Sequence, residues 1–88
     1  MIVVILGKFR KKPTKEMMAE ADKLIAEDTK EGVKFLGLYW TLGRYDIVAI
    51  AEAPDEKSLM KRLLRKQDFL ATETLVALKR EDAVKLVE

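Results

Sequence analysis

Asp46 is the residue of this 88-residue chain whose type and place most invite chemistry, an acid at the head of a run otherwise made of Ile47, Val48, Ala49, Ile50 and Ala51. In a dry cavity the pKa of such a carboxyl rises and the group becomes a general base. Beside it, Tyr45 offers a hydroxyl that can orient a ligand carbonyl, and Arg44 a guanidinium fork suited to a carboxylate. Trp40, with Tyr39 and Phe35 on the preceding segment, supplies aromatic surface for a pocket. Trp40, Arg44, Tyr45 and Asp46 are therefore the candidate ligand-binding set, with Asp46 as the candidate catalytic group. Each also has a structural role open to it. Asp46 can accept backbone or Arg44 hydrogen bonds that fix a hairpin. Tyr45 can pack with its hydroxyl anchored, Arg44 can be a solvated turn residue, and the aromatics can form core or a subunit interface.

The rest of the composition narrows the chemistry. There is no cysteine, which removes disulfides, thiolate nucleophiles and thiolate metal sites together. There is no histidine either, so the usual acid/base group of neutral pH is missing and only carboxylates remain to hold a metal. Neither a metal nor a cofactor is expected. Gly7 and Gly37 belong to no phosphate loop. The stretch Lys8 to Lys12 and the cations Lys57, Lys61, Arg62, Arg65 and Lys66 could form a basic surface. A net charge of only +2, with Glu16, Glu20, Asp22 and Glu56 nearby in sequence, argues against nucleic acid as a partner.

Charged residues make up 36% of the chain, with no asparagine and the single glutamine Gln67. That balance is typical of proteins from hot environments. Ile2 to Leu6 lacks the basic leader of a signal peptide and is too short to cross a membrane, so a cytoplasmic protein without membrane attachment is expected. Length and a hydrophobic content of 49% fit one domain spanning 1–88.

The elements that must position the candidate residues follow from pattern. Ile2 to Leu6 is a continuous apolar, β-branched run, which predicts a strand buried on both faces and closed by Gly7. Pro13 and Thr14 start a helix whose apolar positions Met17, Met18, Ala21, Leu24 and Ile25 recur at three and four residue steps, and Gly32 ends it. Val33 to Leu42 and Tyr45 to Ala53 form a hairpin about Gly43 and Arg44. Strict alternation puts Val33, Phe35 and Tyr39 on one face of the first strand and Leu36, Leu38, Trp40 and Leu42 on the other. Pro54-Asp55-Glu56 starts a second helix with the stripe Leu59, Met60, Leu63 and Leu64. Thr72 to Lys79 is a last strand, and Glu81 to Val87 adds a helical turn or two.

Strand, helix, strand, strand, helix, strand is the order of a ferredoxin-like α+β fold with a four-stranded antiparallel sheet. Right-handed crossovers put both helices on one face of that sheet. Leaving four or five apolar side chains of the other face in water forfeits about 1.5 to 3 kcal/mol each, a sum comparable with the roughly 5 to 15 kcal/mol that stabilises a domain. A homodimer packed sheet to sheet, or a higher oligomer, resolves the conflict.

Leu42-Gly43-Arg44-Tyr45-Asp46-Ile47-Val48, followed by Glu52-Ala53-Pro54-Asp55 and by Thr72-Glu73-Thr74-Leu75, resembles the GYD domain family. The likeness covers nearly the whole chain in element order. It implies a dimeric α+β barrel and brings no established reaction. The Gly43-x-Tyr45-Asp46 hairpin is also similar to the effector-binding domain of Lrp/AsnC-type regulators, in which amino acids bind near that hairpin at subunit contacts. That resemblance implies a small-molecule partner such as an amino acid and a stand-alone sensing module, since nothing before Met1 supplies a helix-turn-helix. Three functions stay open at this stage: a binding or regulatory module, a cofactor-free enzyme acting on a small carbonyl or acid substrate with Asp46 as base, and a structural dimer.

Overall fold

The computed structural model describes residues 1–65 and 68–88. Its elements run β1 (Ile2–Phe9), α1 (Lys15–Lys30), β2 (Lys34–Trp40), β3 (Ile47–Glu52), α2 (Glu56–Leu63), β4 (Leu70–Ala77) and α3 (Arg80–Val84). The four strands form one antiparallel sheet in the order β2-β3-β1-β4, the ferredoxin-like arrangement. The basic position Lys66 lies outside the described residues. No helix among the described residues is long and apolar enough to cross a membrane.

Capping explains where the helices begin and end. Thr14 is extended and its hydroxyl accepts a hydrogen bond from the Met17 N–H at 3.2 Å, satisfying one of the free donors of the first turn of α1. Asp55 does the same for α2 through the Ser58 N–H at 2.9 Å. Gly32 follows the last turn of α1 with φ of +93°, a left-handed backbone that glycine adopts without cost.

β1 extends past Gly7 to Phe9, because Phe9 pairs with Leu70 at the start of β4. Val3 and Ile5 of β1 sit opposite Ala51 and Ala49 of β3 and, with Val33, Ala53 and Leu59, make the core between sheet and helices. Of the apolar stripe expected on α2, only Leu59 is buried; Met60, Leu63 and Leu64 are exposed. α3 buries no residue.

β2 departs from strict alternation. Phe35 pairs with Ala51 and Gly37 with Ile50, so Leu36 is one residue too many, a β-bulge. Beyond it Leu38 and Trp40 oppose Ala49 and Ile47 and face the helices as Phe35 does, whereas Tyr39 opposes Val48 on the other face. This corrects the grouping of Phe35 with Tyr39: the extra residue moves the face by one step.

Among the described residues, neither α1 nor α2 covers the other face of the sheet, and α3 buries no residue against it. In register across it lie Val4 with Ile50 and Leu75, Leu6 with Val48, and Tyr39 with Val48. β1 and β4 therefore contribute to this apolar face along with the hairpin strands.

Candidate functional site

The hairpin turn is built by Thr41. Its hydroxyl donates to the Tyr45 carbonyl at 2.6 Å and its N–H to the Asp46 carbonyl at 2.8 Å, closing the loop over Leu42, Gly43 and Arg44. Gly43 has φ of +122°, with open space where a Cβ would stand. Its role is conformational, since an L side chain is strained at that angle.

Asp46 is held on β1. Its N–H donates to the Gly7 carbonyl at 2.8 Å, and its carboxylate Oδ2 accepts the Phe9 N–H at 2.9 Å. Between them these bonds continue the pairing of β1 and β3 past Gly7 and Ile47, where the regular ladder stops. A carboxylate placed here therefore does the work of a backbone carbonyl.

Tyr45 reaches in another direction. Its hydroxyl donates to Glu73 Oε2 at 2.8 Å, tying the entrance of β3 to β4 across the intervening β1. The hydrogen bond to Glu73 and that carboxylate's charge, with some desolvation, raise the Tyr45 pKa above its ordinary value of 10.0, against a smaller opposing effect of Arg44. The Arg44 guanidinium stands 5.7 Å from the centre of the Tyr45 ring, a cation–π contact. Glu73 opposes Leu6 and so shares the helix-free face.

Trp40 belongs to a different place. On the helix side it packs edge-on against Phe9, with ring centres 5.2 Å apart and planes at 61°, and it remains 63% exposed. It stands at a cavity of about 240 Å³ between α1 and the sheet. Met18, Ala21, Ile25 and Asp28, at helical spacing along α1, form one wall, and Ile5, Phe9, Phe35, Leu38, Ile47 and Ala49 belong to the sheet side. The structure thus brings Arg44, Tyr45 and Asp46 together on the hairpin and leaves Trp40 with the cavity.

Asp28 closes one end of that cavity and is 2% exposed. Its Oδ2 accepts from Arg62 Nε at 2.9 Å and its Oδ1 from Arg65 Nη1. Arg65 Nη2 also meets Glu31 at 2.8 Å, and Lys61 meets Glu31 at 3.0 Å. The Lys61 hydrogen bond, aided by the charges of Arg65 and Lys61, lowers the Glu31 pKa below its ordinary 4.5 despite some desolvation. Lys61, Arg62 and Arg65 are in this way paired with Glu27, Asp28 and Glu31 at the end of α1. Pattern reading passed over Asp28 and Glu73. The first had a signal, an acid placed three residues after Ile25 and four after Leu24, in line with the apolar stripe. The second had none, because its tie to Tyr45 depends on strand order.

A four-stranded antiparallel sheet in this order, with α1 and α2 on one face, defines an α+β protein of the ferredoxin-like class. Within that class the chain belongs to the GYD domain family, whose model matches residues 7–87. It is also similar in structure to the crystal structure of MtbAldR, with a TM-score of 0.50 and 12% identity over 89% of this chain and 52% of that one. The chain spans about half the length of that protein, and the likeness is one of fold. No curated protein matches the sequence.

Proposed function

We propose that the chain works as a homodimeric small-molecule-binding module with a sensing or regulatory role, residues 1–88 acting as one unit. The observation that carries the binding part is the cavity under α1, an apolar chamber with a charged pair at one end, which is how small-ligand sites are commonly built. The dimer part rests on the helix-free face, where Tyr39 and Leu75 are 54% and 44% exposed beside half-buried Val4, Leu6, Val48 and Ile50. A second copy laid face to face would cover them.

Trp40 is then the candidate residue that serves the cavity, while Arg44 and Tyr45 border the helix-free face and would lie near the subunit contact. The bond from Phe9 to Asp46 supports a positioning role for that carboxylate over the role of base. The enzyme reading, with Asp46 as base, has no further observation in its favour.

Light scattering at micromolar concentration is expected to return about twice the 10.1 kDa of one chain. A well-folded monomer would sink the dimer. For the ligand, a thermal-shift screen with amino acids and small keto and phenolic acids is expected to give saturable stabilisation that survives Asp46→Asn. Stabilisation lost in that variant would return the site to the hairpin, and turnover lost with binding kept would restore the enzyme.

A further inference from the structure

The cavity under α1 has a composition that points to a class of ligand. All three phenylalanines of the chain and its one tryptophan line it: Phe9, Phe35, Phe69 and Trp40. Aromatic walls of this kind favour a flat ring, which can stack or meet them edge-on as Phe9 and Trp40 already meet each other. Small residues make the room, since Ala21 and Ala49 face the space from helix and sheet. The volume of about 240 Å³ falls below the roughly 300 to 1,000 Å³ of sites for drug-sized molecules, so it suits a single ring with a short substituent.

The polar end decides the substituent's charge. Both carboxylate oxygens of Asp28 are occupied, Oδ2 by Arg62 and Oδ1 by Arg65. Asp28 therefore presents little to a cation, and the other acid at the cavity, Asp22, is exposed to water. Arg62 is the reverse case. It commits only Nε to Asp28, and its two Nη groups make no hydrogen bond or ion pair among the described residues although its side chain is only 12% exposed. Neither Nη group is fully buried, and their four N–H donors are left for an acceptor. The same side chain also lines a neighbouring groove with Arg10, Arg65 and Thr72, so Arg62 stands between the aromatic chamber and a region rich in cations.

We propose that this cavity binds a small aromatic carboxylate, its ring among Phe9, Phe35, Phe69 and Trp40 and its carboxylate on the Nη groups of Arg62. A planar anion on a guanidinium fork is the strong, geometrically matched form of this contact. The inference rests on the reading of the chain as a small-molecule binder and gives that reading a site and a ligand class.

Trp40 is the only tryptophan, so its fluorescence reports on the cavity directly. Phenylacetate titrated into the full chain is expected to change that fluorescence saturably and raise the melting temperature, while phenethylamine, benzyl alcohol and acetate leave both nearly unchanged. Equal binding of the amine or the alcohol would overturn the carboxylate assignment, and equal binding of acetate the aromatic one. Arg62→Lys, which keeps a cation for Asp28 but removes the fork, is expected to weaken phenylacetate by roughly tenfold or more, the size of one charge-assisted hydrogen bond. Ala21→Phe fills the chamber and is expected to abolish binding in a folded protein; unchanged affinity in either variant would place the ligand elsewhere. If no aromatic acid gives a signal while an aliphatic amino acid stabilises the chain, this assignment fails and the small-molecule reading survives. If nothing binds, both fall.

Discussion

Tyr45 is anchored by a bond that exists only while its hydroxyl carries a proton. Because its folded-state pKa is raised, the tie to Glu73 stabilises the fold at and below the ordinary tyrosine pKa and is lost as pH climbs through the raised value. In a Tyr39→Phe background, where Tyr45 is the one tyrosine left, absorbance titration is expected to give an apparent pKa above 10.0, and adding Glu73→Gln is expected to bring it down. A value that does not move on removing Glu73 would mean that the bond is not made in solution. At this scale the sequence was legible in part. Asp46 stood out as an acid heading an apolar strand, and a hairpin-fixing role for it was one of the two readings open. Its acceptor role toward Phe9 was not legible, since the partner lies 37 residues away on β1. The same holds for Tyr45, which could be matched with Glu73 only once β1 was known to separate β3 from β4.

Helices and strands were the most legible level, because each is declared by local pattern. Pro13-Thr14 and Pro54-Asp55-Glu56 announced the starts of α1 and α2 through capping chemistry that involves only the next three residues. The grip of α1 on the residues of α2 and after it was hidden for the opposite reason, being made by charged residues that pattern assigns to solvent. Asp28 is buried and doubly paired, so Asp28→Ala, which strands Arg62 without a counter-charge, is expected to cost about 3 to 5 kcal/mol in denaturant unfolding. A cost under about 1 kcal/mol, the range of surface pairs, would show the network to be solvated. The bulge at Leu36 was equally out of reach, since alternation gives no sign of an inserted residue when both faces are apolar. Its position became fixed only by the partners of Phe35 and Gly37 on β3.

For the molecule as a whole, the order of elements was enough to give the sheet and its topology, because few arrangements satisfy right-handed crossovers in so short a chain. The location of the cavity was not, since it depends on which strand residues come to lie under Ala21 and Ile25. β2 ends the sheet on one side, and among the described residues no strand lies beside its outer backbone groups. A regular, apolar edge of that kind is a template on which further chains can add, strand upon strand, into fibrils. The additional residue at Leu36 interrupts the template, because a bulged edge bends and twists away from a flat partner. Deleting Leu36 is therefore expected to increase thioflavin-positive aggregation on mild heating, whereas Leu36→Ala, which keeps the residue count, is not. The irregularity that turns Trp40 to the helix side is thus expected to guard the edge of β2 as well, so that resistance to aggregation and the shape of the cavity share one inserted residue.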